Sequence, residues 1–240
     1  MENKNIGKYK AIIFDVGDTL LENYPSQAQM YLDRLKLLNL NVENMSIESI
    51  SEILEKTSHE QILKEQNGSP RMDDKEFEIL LDKAIIGNVI KKQNSSTLLE
   101  KLIKIPFPQQ ELRIIDGVFE TLSILLEKGF RLAIVSNHKS WLPGYLEKMG
   151  LSQFFETIVV SEIVGCEKPD IRIMQIVLKR LILNASDCLY VGDHPFDVLC
   201  SKRAGIDCIW ISTPEKTLPD NINYKEDFRI SKIKDILKLI

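Results

Sequence analysis

Residues 10–15 (KAIIFD), 131–136 (RLAIVS), 188–193 (CLYVGD) and 206–211 (IDCIWI) form short runs that are almost wholly apolar, and 156–161 (ETIVVS) is a weaker fifth. Short runs without polar alternation suit strands covered on both faces, as in a parallel sheet. Helical patterns fill the intervals. Residues 117–128 (GVFETLSILLEK) set Val118, Leu122 and Leu125 on one face and stop before Gly129; 140–149 stops before Gly150. Residues 169–183 open on Pro169, and 195–204 open on Pro195 and stop before Gly205. Proline presets the first helical φ, and glycine accepts the left-handed conformation beyond the last turn. Strand alternating with helix predicts an α/β fold, a doubly wound parallel sheet. Such sheets collect their reactive groups at the carboxyl ends of the strands.

The stretch from about 25 to 104 follows another rhythm. QAQMYLDRLKLLNL, SIESISEILEKTSHEQILKEQ, DKEFEILLDKAIIGNVI and SSTLLEKLIK are rich in Leu, Ile, Glu and Lys and contain no strand-like run. They predict an α-helical insert after the first strand, with NGSP at 67–70 as a turn and IPFPQQ at 105–110 as the exit linker. The expected division is a core of residues 1–21 and 109–240, with residues 22–108 inserted as a helical cap.

Composition narrows the function. The 240 residues are 44% hydrophobic and 28% charged, an ordinary globular balance at a length that buries a core without disulfides or metal. Net charge is −4 and no basic cluster is longer than a pair such as Lys91–Lys92, without interleaved aromatics, so no nucleic-acid partner is expected. No apolar stretch approaches the ~18–20 residues of a membrane span. The first apolar run is broken by Asp15 and Asp18, unlike a secretory signal. Cys166, Cys188, Cys200 and Cys208 form no CxxC pair, so free thiols and a cytoplasmic location are expected. Nothing in the pattern speaks to oligomeric state.

The candidate chemistry lies at the strand ends. A carboxylate at the tip of the first strand, Asp15, costs desolvation energy unless it has a partner. A turn or helix cap would account for Asp15 alone. Ser136 and Asn137 end a second strand, Lys168 sits in KPD, and Asp193 and Asp197 flank Pro195, where a helix start brings both acids toward one face. Three carboxylates suit Mg²⁺, a hard cation that takes oxygen ligands. A lysine and a hydroxyl suit a phosphate, and an aspartate is a known phosphoryl acceptor in covalent catalysis.

In this order and spacing the pieces resemble the haloacid dehalogenase-like hydrolase superfamily, in its form with a helical cap after the first strand. FDVGDTL at 14–20, VSN at 135–137, EKPD at 167–170 and VGDHPFD at 191–197 match its four motifs, and the resemblance runs from about 10 to 211. The resemblance implies a Rossmann-like core with the cap closing over the site. It implies Asp15 as nucleophile, with Ser136, Asn137 and Lys168 at the phosphate. It further implies Mg²⁺ held by Asp15, the Gly17 carbonyl, Asp193 and Asp197. The activity implied is a phosphatase acting on a small phosphorylated metabolite.

The sequence departs from that family at one position. The usual pattern is D-x-D-G-T, whose second Asp protonates the leaving oxygen and later activates water. Here that position is Gly17, and Asp18 stands where the family usually has Gly. A general acid or base is worth roughly 10²–10⁴ in rate. Asp18 can replace it through a backbone shift, or a cap residue, a bound water or a good leaving group can make it dispensable. The remaining reading is a weakly active or non-catalytic module binding a phospho-ligand or a protein. Haloacid dehalogenases also lack the second Asp but need an Arg for the carboxylate or halide. Arg34 and Arg71 are the candidates in the insert, against the plainer reading of solvated cations. Response-regulator receivers place their acids first and their lysine last, whereas Lys168 precedes Asp193 and Asp197. His138 and His194 adjoin two motifs and serve either substrate or a surface or capping role. Trp141 lines a cleft or packs in the core, Thr19 caps the turn after Asp15, and His59 has no assigned role.

Overall fold

The computed structural model describes residues 6–40, 42, 45–66, 69–70, 72–89, 95–212, 218 and 222–240. The chain runs β1 (Ala11–Phe14), β2 (Leu21–Tyr24), α1 (Gln27–Leu37), α2 (Ile47–Gln66), α3 (Asp74–Val89), α4 (Ser95–Ile103) and β3 (Glu111–Ile114). It continues through α5 (Val118–Glu127), β4 (Arg131–Ser136), α6 (Leu142–Lys148), β5 (Thr157–Val160), α7 (Ser161–Val164) and α8 (Arg172–Leu181). The last elements are β6 (Cys188–Gly192), α9 (Pro195–Arg203), β7 (Asp207–Ile211), β8 (Phe228–Ile230) and a 3₁₀ turn over Ile233–Leu239. Two compact units result, Met1–Glu22 with Leu112–Ile240, and Asn23–Glu111.

The first unit is a six-stranded sheet in the order β5-β4-β1-β6-β7-β8, parallel at every pairing. Strand alternation divides its side chains between two apolar layers. Ile12, Phe14, Leu132, Ile134, Leu189 and Val191 pack with Val118, Leu122 and Leu125 of α5 and with Ile233 and Ile236. Ala11, Ile13, Ala133, Val135, Cys188 and Tyr190 pack with Ile173, Met174, Val177 and Leu181 of α8 and Val198 of α9. Burial on both faces is why these strands read as unbroken apolar runs. Each fully buried Leu, Ile or Phe stabilises the fold by about 1.5–3 kcal/mol. From β1 the chain steps outward to β4 and β5, then returns to β6 on the other side of β1. The order thus reverses at β1, which puts the crevice at the carboxyl ends of β1, β4 and β6.

The expected strands are β1, β4, β5, β6 and β7; β2, β3 and β8 escaped the sequence pattern because they are short and, in β2 and β3, mostly exposed or half-exposed. Helix α8 begins at Arg172, not Pro169. Residues 167–170 turn instead, with the Asp170 N–H donating to the Glu167 carbonyl at 2.8 Å and the Arg172 N–H to Asp170 Oδ1 at 2.9 Å. All four cysteines are free, and Cys188, Cys200 and Cys208 are buried. No described helix is long and apolar enough to cross a membrane.

In the second unit, the four helical segments expected from sequence are α1 to α4. Tyr31 and Leu35 of α1, Ile50 and Leu54 of α2, Leu81 and Ile85 of α3 and Leu102 of α4 form one core. Arg34 corrects the expectation of a solvated cation. It is 3% exposed and forks onto Asp82 at 2.9 and 3.3 Å, and it donates to the carbonyls of Leu102 at 2.7 Å and Ile105 at 3.1 Å. Its guanidinium lies 3.9 Å from the Phe107 ring centroid. Arg71, and Asn67 and Gly68 of the expected turn, lie outside the described residues.

Candidate active site

Asp15 follows β1 and is tied to β6 by its backbone N–H, which donates to the Val191 carbonyl at 2.9 Å. A tight turn comes next, in which the N–H groups of Leu20 and Leu21 both donate to the Val16 carbonyl at 2.9 Å. Asp18 sits in this turn at φ 49°, the left-handed region that favours glycine and that Asp tolerates better than most residues. Gly17 is not in that region, and a Cβ built there would meet nothing within 4 Å. The backbone therefore strains the residue that has a side chain and leaves room at the one that has none.

Lys168 reaches Asp15 from the turn before α8. Its ammonium donates to Asp15 Oδ1 at 2.7 Å, to Asp197 Oδ1 at 2.6 Å and to the Tyr190 hydroxyl at 3.0 Å, and the residue is 5% exposed. Three donors thus meet three acceptors. The other end of Lys168 is fixed by Asn137. Asn137 Oδ1 accepts the Lys168 N–H at 2.7 Å, and its Nδ2 donates to the Lys168 carbonyl at 2.9 Å. The amide expected at the substrate is committed in this way to positioning the lysine backbone. Ser136, the last residue of β4, is buried. The register pairs Phe14 with Ile134, so Ser136 lies just beyond the level of Asp15.

The acidic pair comes from β6 and α9. Asp193 is half-buried; its carbonyl accepts from Trp210 Nε1 at 2.7 Å, and its Oδ1 accepts from Thr19 Oγ1 at 3.1 Å. Thr19, expected to cap the turn, holds an acid instead. Asp197 is fully buried in the first turn of α9, where its Oδ2 accepts the His194 N–H at 3.0 Å. Gly192 allows this fit, since a Cβ there would stand 2.2 Å from Asp197 Oδ2. His194 has the capping role: its Nδ1 accepts the Phe196 N–H at 3.1 Å. His138 Nδ1 accepts the Lys139 N–H at 2.9 Å, and Trp141 is 51% exposed, outside the core.

Tyr190 is the site residue that sequence reading missed. Its hydroxyl lies 3.0 Å from the Val135 carbonyl and 3.1 Å from Asp197 Oδ1. A tyrosine inside the apolar run CLYVG was the available signal, because a buried hydroxyl needs partners.

Charge is unbalanced here. Asp15, Asp193 and Asp197 each offer a carboxylate oxygen, all within 4.8 Å of one another, and Lys168 supplies one positive charge. Burial holds the Asp15 carboxyl above its ordinary pKa; Lys168 draws it down and Asp197 pushes it up. Burial raises Asp193 well above the carboxylate range, and the charges of Asp197, Asp15 and Asp18 raise it further. Burial opposes charge on Lys168, but Asp15 and Asp197 outweigh it and keep the ammonium above its usual pKa. Burial and the same two acids push the Tyr190 phenol well up, so it stays protonated. A hard cation among these oxygens would offset the charge that Lys168 leaves uncompensated, and the donor set fits Mg²⁺.

Arg34 is spent inside the helical unit on Asp82 and two carbonyls, so among the described residues the dehalogenase reading loses its candidate arginine.

The phosphoglycolate phosphatase of Pseudomonas fluorescens (strain Pf0-1) is 26% identical over 209 residues, 85% of this chain and 69% of that one. The glyceraldehyde 3-phosphate phosphatase of Methanopyrus kandleri is 27% identical over 246 residues, 96% of this chain and 97% of that one. Among solved structures, the HAD-hydrolase YfnB from Bacillus subtilis, bound to magnesium, matches with a TM-score of 0.64 at 23% identity, covering 97% of this chain and 98% of that one. The family model for haloacid dehalogenase-like hydrolases matches residues 12–211, and with most of its length inside that match the chain belongs to this family.

Proposed function

We propose that the chain is a Mg²⁺-dependent phosphatase of small phosphorylated compounds, working through an aspartyl-phosphate on Asp15. The observation that carries this reading is the Lys168 ammonium held between Asp15 and Asp197, with Asp193 beside them at the carboxyl edge of the sheet. The phosphatase activities of the two relatives support it, as does the magnesium in YfnB.

Asp15 attacks the phosphoryl group with its carboxylate oxygen, and the substrate oxygen leaves with the bond's electron pair. Lys168 and Ser136 hold the phosphoryl oxygens, and Lys168 stabilises the charge that builds there in transfer. Asp197 and Tyr190 keep the ammonium in place, and Asn137 keeps its backbone in place. Asp15, Asp193 and the Gly17 carbonyl would hold Mg²⁺, with Asp197 beside them. Bound there, the ion would lower the repulsion between carboxylate and phosphate. Water then releases phosphate and restores Asp15. Residues 23–111 serve as the inserted cap and select the substrate.

Without a side chain at 17, no group stands in the usual place to protonate the leaving oxygen. Aryl and acyl phosphates, whose leaving groups are weak bases, then react faster than alkyl phosphates. The test is a screen of small phosphate esters with Mg²⁺ and with EDTA, on wild type and Asp15→Asn. Turnover lost in both EDTA and the variant is expected. Turnover that persists in Asp15→Asn contradicts the nucleophile. Silence of wild type on every ester favours the non-catalytic module.

A further inference from the structure

The loop between β4 and α6 narrows the substrate further. Trp141 stands between His138, with ring centroids 4.6 Å apart at 88°, and Tyr145, 5.6 Å apart at 76°. Half of the indole faces outward even so. The loop that carries it is pinned to α7. The His138 N–H donates to Ser161 Oγ at 3.0 Å, and Ser161 Oγ and the Glu162 N–H donate to the His138 carbonyl at 3.2 and 3.3 Å. The Ser140 N–H donates to Glu162 Oε2 at 2.6 Å. An indole fixed this firmly, and not packed in the core, is a prepared contact surface. The loop also leaves the carboxyl end of β4, directly after Ser136, the end of the sheet at which Asp15 follows β1.

Two independent features therefore converge. Gly17 calls for a weakly basic leaving group, and Trp141 offers a flat, half-exposed apolar face on the loop that follows Ser136. We infer that Trp141 is a specificity-determining residue that receives the aromatic leaving group of an aryl phosphate monoester. This rests on the phosphatase reading above. In the reaction the phosphorus–oxygen bond to the aryl group breaks and a bond from phosphorus to an Asp15 carboxylate oxygen forms. The aryl oxide leaves with the electron pair. Water attacks the aspartyl-phosphate at phosphorus, which frees inorganic phosphate and the Asp15 carboxylate, and the released proton neutralises the aryl oxide.

The test compares para-nitrophenyl phosphate with acetyl phosphate, whose leaving group is also a weak base but has no ring. Wild type, Trp141→Ala and Trp141→Phe are assayed in Mg²⁺. Trp141→Ala is expected to lose about tenfold in kcat/KM on the aryl ester, the scale of one aromatic stacking contact. Its turnover of acetyl phosphate stays at the wild-type level, which also reports an intact fold and nucleophile. Trp141→Phe recovers most of the aryl activity. An equal loss on both substrates, or none on the aryl ester, overturns the inference. Wild type that turns over neither substrate overturns the phosphatase reading itself, and this inference with it.

Discussion

At position 17 a side chain is missing where the fold has room for one. A Cβ there meets nothing within 4 Å, while the neighbouring Asp18 bears the left-handed φ of 49°. The gap is therefore chemical, not steric. Gly17→Asp should fold normally and speed alkyl phosphate hydrolysis, by as much as roughly 10²–10⁴, while aryl phosphates gain little. The check is kcat/KM on glycerol phosphate against para-nitrophenyl phosphate. A variant no faster on the alkyl ester means that an acid is already supplied, and loss in Asp18→Asn would then identify it. The positions of Asp15, Lys168, Asp193 and Asp197 were legible because each stands in a short motif whose spacing is fixed by a strand end. Asn137 and Tyr190 were not legible in their roles. One acts on a backbone 31 residues away and the other on side chains 22 and 7 residues away, and such pairings exist only once the strands are in register. Gly192 was visible in its motif, but its reason, the Asp197 carboxylate pressed against it, was not.

Among the elements, the central strands and the four inserted helices were readable because burial on two faces and burial on one face leave different periodicities. The start of α8 was misread because Pro169 suits both a first helical turn and the turn that precedes it. Arg34 shows the limit of pattern reading within a helix. Its partner Asp82 lies 48 residues away on α3, and nothing local distinguishes a buried arginine from a solvated one. Both residues are almost wholly buried, 3% exposed each, so breaking the pair leaves a charge without compensation in the helical core. Asp82→Ala should cost about 3–5 kcal/mol, read from chemical denaturation. Replacing both residues together by Met and Leu should cost far less. A single variant as stable as wild type would show that Arg34 finds other acceptors.

Over the whole molecule, the sheet gathers the ends of three strands at the place where their order reverses, and the turn before α8 brings Lys168 there from between β5 and β6. A doubly wound sheet of this order puts groups 182 residues apart in sequence, from Asp15 to Asp197, into one cluster. In the proposed mechanism this cluster makes Asp15 a covalent phosphoryl acceptor. The most direct measurement is to quench wild type with acid during turnover of an aryl phosphate, reduce with borohydride and map the product by mass spectrometry. An aspartyl-phosphate is reduced to homoserine, and the missing acid/base at Gly17 should let it accumulate. Homoserine at position 15, absent without substrate, is the predicted result. Steady turnover with Asp15 unmodified, or a phosphoryl group recovered on another side chain, would contradict it.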